Sequence, residues 1–251
     1  MKTFKHSGNA GDILYSLYCI NEPSILYLHL NQKGYYGANV HPLGDVMLNQ
    51  AMFDMLRPLL LYHPYIKDVK VYNGEPIDYD LDEFRHDNID LGRGSITNWY
   101  FETFPELTAD TSQQLYANQP NIENHSDYIV VNRTFRYRNA DVRYKCLNEL
   151  DKGIIFVGMD DEFEDFKLRV PKAVRAIITD LYQAWQLIKD AKFFIGNQSM
   201  MFAIAELMKK PRILEVYKHA PNVIPSGGVF YQVNNEQKLK QAIELMNGRN
   251  I

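Results

Sequence analysis

Short runs rich in aromatic and β-branched residues alternate with longer segments of helical period along most of this chain, which restricts it to few architectures. "TFKHSG" (3–8) reads as a strand and "DILYSLYCI" (12–20) as a helix. "SILYLHL" (24–30) is a second strand, "GDVMLNQAMFDMLRPLLLY" (44–62) a helix carrying Pro58, and "DVKVYN" (68–73) a third strand. Such alternation builds parallel sheets with helices on both faces, because each crossover between parallel strands covers one face.

Residues 74–120 are less regular. The acidic stretch "EPIDYDLDEF" (75–84) reads as a solvated loop, and "SITNWYFETF" (95–104) as an aromatic helix. Asn, Pro and Ser then cluster in "NQPNIENHSD" (118–127) without apolar periodicity, as in a linker. The alternation restarts beyond it. Strands are predicted at "YIVVN", "GIIFVG", "AVRAII", "KFFIGN", "PRILEVY" and "GVFYQV". Helices are predicted at "DEFEDFKLRV", "DLYQAWQLIKDA", "SMMFAIAELMKK" and the terminal "NEQKLKQAIELMN". The expected fold is α/β, with two Rossmann-like domains (residues 1–120 and 121–251) facing a cleft. Ligands of such sheets bind outside the carboxyl ends of the strands, which places them in that cleft.

Composition narrows the class. A chain of 251 residues with 46% hydrophobic residues can bury two cores of this kind. Its formal charge of −4 argues against general polyanion binding while allowing a local basic patch. Cys19 and Cys146 show neither disulfide nor metal-ligand spacing, which suggests a reducing compartment. No apolar run approaches the ~20 residues that span a bilayer, and Asn9 and Asp12 interrupt the N-terminus as a leader. The expectation is a cytoplasmic protein with no membrane insertion.

Three segments at predicted strand ends carry chemistry. In "HSGNAGD", Gly8 and Gly11 permit a tight turn, and Asp12 follows at the start of a helix. Asp12 either caps that helix or faces the cleft as a general base; His6 and Asn9 stand beside it. In "VVNRTFRYRNADVRYK" (130–145), Arg133, Arg136, Arg138, Arg143 and Lys145 interleave with Phe135, Tyr137 and Tyr144, and Thr134 adds a hydroxyl. This is either a solvated basic loop or a diphosphate clamp, and its aromatics also suit stacking on bases. In "KFFIGNQSMMFAIAEL" (192–207), Asn197, Gln198 and Ser199 follow Gly196 and cap a helix, an arrangement shared by plain caps and by anion sites. Gly158, Met159 and Asp160, and Thr179 with Asp180, occupy further strand ends, where turn and cap roles explain them equally well. Glu206 and Glu215 either face the cleft or are ordinary surface acids.

Taken together, "SGNAGDILYSL" and "DLYQAWQLIKDAKFFIGNQSMMFAIAELMKKPRI" resemble the two ends of the family 9 glycosyltransferases, the ADP-heptose:lipopolysaccharide heptosyltransferase-like group. The resemblance implies a GT-B fold, a nucleotide-sugar bound mainly by the C-terminal domain, and an acceptor on the N-terminal one. It also implies no metal and no other cofactor; the Asp-x-Asp triplet "DYD" (78–80) falls in the irregular stretch. By position Asp12 matches the family's base, with His6, Gly8, Asn9 and Gly11 around the acceptor. Thr134 and Arg136 match a phosphate-contacting loop, joined on the donor side by Arg133 and Gly158. Thr179 matches a residue near the base, and Asn197, Gln198 and Ser199 match the diphosphate-binding helix start. The family's usual acidic-Thr-Gly cap and later His are here Asn197-Gln198-Ser199 and Phe202. The expected activity is metal-independent transfer of a sugar to a hydroxyl of a surface glycan precursor or a modified DNA base. The alternatives are a non-catalytic nucleotide-sugar binding protein and a nucleotide-sugar epimerase.

Overall fold

In a computed structural model, which describes residues 1–34, 44–85, 94–116 and 127–248, two parallel sheets face one another across a layer of helices. The first sheet has strand order β3-β2-β1-β4, from β1 (Lys2–His6), β2 (Ser24–Leu28), β3 (Ile66–Val71) and β4 (Tyr79–Asp80). The second has order β10-β9-β8-β5-β6-β7. It is built from β5 (Tyr128–Asn132), β6 (Gly153–Phe156), β7 (Val174–Arg175), β8 (Phe194–Asn197), β9 (Arg212–Glu215) and β10 (Phe230–Val233). All the pairings between these ten strands are parallel, as the alternation requires.

The helices are α1 (Ala10–Ser16), α2 (Gln50–Leu61), α3 (Ile96–Thr103), α4 (Asp160–Lys167), α5 (Leu181–Asp190), α6 (Met200–Leu207) and α7 (Glu236–Asn247). One continuous core joins the domains. It runs from Phe4 and Leu26 of the first sheet, through Ile13, Leu14 and Leu56, to Ala184, Phe202 and Phe194 of the second. Tyr62, just past α2, packs on Trp185 of α5 with ring centroids 4.9 Å apart. Hydrogen bonds also cross over: Leu115 N–H donates to Leu207 C=O at 3.0 Å, and Ile96 N–H to Asn222 C=O at 2.9 Å. A second core, on the far face of the second sheet, packs α4 and α7 against Ile129, Phe156 and Ile213.

Two sequence expectations change. The helix expected over 44–62 starts only at Gln50, because Asn49 caps it by accepting from Met52 N–H at 3.0 Å. The acidic stretch 75–84 is not a solvated loop. Tyr79 stacks on Phe4 at 5.1 Å and Asp80 pairs with Lys5 at 2.6 Å, which fixes β4 on the edge of β1. The acids of "DYD" are occupied there, since Asp78 accepts from the N–H and the hydroxyl of Thr3. A 3-10 turn over Leu81–Arg85 follows and brings two charged side chains to the end of β1. The linker expected at 118–127 lies, up to residue 126, outside the described residues.

Candidate active-site cleft

The carboxyl end of β1 and the first turn of α1 form the N-terminal wall. Asn9 precedes α1, and its carbonyl accepts from Ile13 N–H at 3.1 Å. Asp12 therefore lies inside the first turn, and its carboxylate does not cap the helix. Asp12 Oδ2 accepts from Arg85 Nη2 at 3.0 Å, while the same guanidinium donates through Nη1 to Asp82 Oδ1. The Asp12 side chain stays 26% exposed. Gly8 lies under this bridge: a β-carbon there would stand 2.1 Å from Arg85 Nη2 and 2.6 Å from His6 Cε1.

His6 is fully buried, and burial pushes its pKa down to about 4. The neutral ring accepts from Gly8 N–H at Nδ1 (2.8 Å), so Nε2 carries the proton and donates to the Tyr100 hydroxyl at 2.8 Å. That hydroxyl in turn donates to the Asp12 carbonyl at 3.2 Å. The chain of bonds fixes the backbone of the α1 start rather than its carboxylate. Burial alone would raise the Asp82 carboxyl, but the Arg85 guanidinium and the Ser7 N–H hold it below its ordinary value.

The C-terminal wall is organised by Asn197, which is fully buried at the end of β8. Its amide donates to the carbonyls of Thr134 (3.0 Å) and Arg136 (2.7 Å), and its Oδ1 accepts from Thr134 N–H at 3.0 Å. One side chain thus sets the path of the loop after β5. Ser199 caps α6 by accepting from Phe202 N–H at 3.2 Å. Gln198 turns the other way, donating to the Ala220 carbonyl (2.6 Å) and to Asn222 (3.0 Å). The two walls meet directly, since a β-carbon on Gly11 would lie 3.8 Å from Met200 Cα.

The structure thus brings Gly8, Asn9, Gly11 and Asp12 together on one side, and Thr134, Arg136 and Ser199 on the other. His6, Asn197 and Gln198 are buried behind them, so these three support the walls and do not line them as expected. Arg136 stacks its guanidinium on the Tyr137 ring at 5.0 Å. Gly158 and Thr179 lie farther along the same sheet end, after β6 and β7. The Gly158 carbonyl accepts from Arg175 at 3.2 Å, and Thr179 exchanges two hydrogen bonds with Gln183 at the start of α5.

Arg133 is placed elsewhere. It is buried at 4% exposure and donates from Nε and Nη2 to Glu215 (2.8 and 3.0 Å) and to the carbonyls of Asn139 and Val142. It braces the loop from within and does not face the cleft. Glu206 is equally interior, held by Arg212 and Lys209 at 2.6 Å each, so neither acid left open in the sequence is a surface group. The sequence reading missed Arg85, Asp82 and Tyr100; the alternation of Tyr79, Leu81 and Phe84 with acids was the available signal that this stretch packs.

No known family model and no curated protein sequence matches the chain. Solved structures do. Heptosyltransferase WaaC of E. coli, solved with ADP, superposes with a TM-score of 0.64 at 11% identity, covering 100% of both chains. The ADP-heptose LPS heptosyltransferase II of E. coli gives 0.60 at 12% identity over 98% of each. A family 9 glycosyl transferase from Veillonella parvula gives 0.54 at 8% identity over 96% of this chain and 88% of its own. The chain has the GT-B fold. Its resemblance is to the family 9 group of that fold, in which two Rossmann-type domains enclose a cleft. Among the described residues of this GT-B chain, no group of three or more His, Cys, Asp and Glu is arranged to hold a metal ion. No described helix is long and apolar enough to cross a membrane.

Proposed function

We propose that this protein is a glycosyltransferase that moves a sugar from a nucleotide-sugar to an acceptor hydroxyl, with Asp12 as the base. The observation that carries this reading is the position of Asp12. A partly exposed carboxylate stands in the first turn of α1 at the point where that turn abuts the first turn of α6. Support also comes from the shared fold, since WaaC was solved with ADP and with ADP-2-deoxy-2-fluoro heptose.

In this mechanism Asp12 Oδ1, which makes no hydrogen bond among the described residues, takes the proton of the acceptor hydroxyl as its oxygen attacks the anomeric carbon. Arg85 on Oδ2 fixes the carboxylate plane. The anomeric carbon–oxygen bond breaks on the opposite face, and direct attack of this kind inverts the configuration. The nucleoside diphosphate leaves with the bonding pair. The N-terminus of α6, with Ser199, and the loop at Thr134 and Arg136 would meet its charge. Asn197 acts by setting that loop.

A thermal-shift screen with ADP, UDP, GDP, CDP and their sugars, followed by transfer assays on glycan and oligonucleotide acceptors, tests the reading. One nucleotide should stabilise wild type and stabilise Arg136→Ala less. Asp12→Asn should keep nucleotide binding while losing ~10²–10⁴-fold in turnover. An oligonucleotide acceptor would show binding that weakens steeply with salt. Nucleotide stabilisation without transfer under any pairing would leave a nucleotide-sugar binding protein, and stabilisation by no nucleotide would overturn the reading.

A further inference from the structure

The arginines that follow β5 do not act as one group. Asn197 pins residues 134–136 at the cleft, and the chain then reverses through Tyr137, whose φ is 56°. The remainder of the loop runs along the other face of the second sheet, where Val142 and Tyr144 join the core beneath α4 and α7. A cavity of about 400 Å³ opens there, lined by Arg133, Arg138, Ala140, Val142, Arg143 and Arg169.

Every charged residue lining this cavity is an arginine, and two carboxylates form ion pairs with them among the described residues. Glu215 takes Arg133. Asp165 on α4 is shared, accepting from Arg138 Nη1 at 2.5 Å and Arg169 Nη1 at 2.7 Å. Glu236 stands behind the backbone of Arg143 as a further carboxylate, so the acids offset much of the arginine charge and the unanswered part is concentrated on Arg143. The Arg143 guanidinium has no ion-pair partner among the described residues. Its backbone is nonetheless fixed: the N–H groups of Arg143, Tyr144 and Cys146 donate to Glu236 at 2.6, 2.8 and 3.0 Å. Tyr144 is held at φ 63° in doing so, a left-handed conformation that a bulky residue adopts only under constraint.

We propose that this pocket is a second anion site, separate from the cleft, for the phosphate monoester of a small polar molecule. Forked guanidinium groups match phosphate oxygens two at a time, and the Arg143 fork, outside any ion pair among the described residues, is the one placed to grip them. The volume exceeds what a phosphate group alone fills and lies at the small end of ligand pockets, so a carrier of sugar size fits with the phosphate.

Calorimetric titration of the full chain at low salt with inorganic phosphate, and separately with glucose 6-phosphate, tests the assignment. Wild type should bind, and Arg143→Ala, which removes an exposed side chain, should weaken binding about 10- to 100-fold. Arg136→Ala, in the cleft loop, should leave it unchanged, and Arg143→Ala should leave nucleotide thermal shifts unchanged. Tighter binding of glucose 6-phosphate than of phosphate marks a sugar phosphate as the ligand, and equal binding marks free phosphate. The proposal falls if wild type binds neither probe, if Arg143→Ala binds as well as wild type, or if Arg136→Ala is the variant that loses affinity. None of these outcomes depends on whether the cleft transfers sugars.

Discussion

Asp12 and Arg85, 73 residues apart, are joined at 3.0 Å, and the same guanidinium holds Asp82. A single cation therefore separates two carboxylates at the mouth of the cleft. Arg85→Met should bring those carboxylates into mutual repulsion and leave Asp82 mostly buried with less compensation. Loss of charge-assisted bonds of this kind costs about 1.5–3 kcal/mol, readable as a lower urea midpoint at unchanged slope. Arg85→Lys should recover part of the stability but not the two-pronged geometry. Under the proposed mechanism both variants lose turnover with nucleotide affinity intact. Unchanged turnover in Arg85→Met would remove Arg85 from any part in orienting Asp12.

Gly8 makes that bridge possible by what it lacks. The guanidinium tip can swing away from an added β-carbon, but His6, buried and bonded at both ring nitrogens, has nowhere to go. Gly8→Ala should cost about 1–3 kcal/mol of stability through overpacking. It should also displace Arg85 from Asp12, so activity falls beyond what the unfolded fraction explains. Chemical denaturation and transfer assays on one preparation separate the two effects.

Much of the fold was legible because its strands are short and buried and its helices are longer and periodic. Asp12, Asn197 and Ser199 were visible for the same reason: each stands where a strand hands over to a helix. The partners of Asp12 were not visible. Arg85 and Asp82 sit in a stretch whose charge resembles a solvated loop, and only the pairing of Tyr79 with Phe4 and Asp80 with Lys5 draws it onto the sheet edge. The basic loop misled in another way. Composition shows how many arginines it holds but not which way each turns. Glu215, far along the sequence, claims Arg133 from within.

The Arg133–Glu215 pair is a buried brace, so breaking it from one side should be severe. Glu215→Ala leaves Arg133 charged inside the domain and strips the acceptor from Asn139 N–H, which bonds Glu215 at 2.6 Å. A loss of about 3–5 kcal/mol is expected. The double variant Arg133→Met/Glu215→Leu should be less destabilised than the sum of Arg133→Met and Glu215→Leu alone, since neither charge is then stranded. Guanidinium-chloride unfolding of the four proteins measures the coupling. Additive losses would mean that the two side chains act independently.

Stability should fall as the solution is acidified, for a reason located in two histidines. Burial pushes both His6 and His63 down to about 4, whereas in the unfolded chain they titrate near 6.5. Between those values the unfolded chain holds protons that the folded chain refuses, so lowering the pH favours unfolding. Above about 6.5 both states are neutral and the contribution is flat. From pH 7.5 to pH 5 each histidine should remove about 2 kcal/mol. Asp82, whose folded value is depressed, acts in the same direction at lower pH, toward and below its ordinary carboxylate range. His63 packs against the rings of Tyr65 and Tyr116, so His63→Phe keeps an aromatic in place and removes one titrating group. Urea unfolding at pH 7.5, 6 and 5 should show the variant losing roughly half as much stability as wild type over that range. Equal losses in the two proteins would show that His63 is already protonated in the folded state, or reachable by solvent, and would leave the acid sensitivity to other groups.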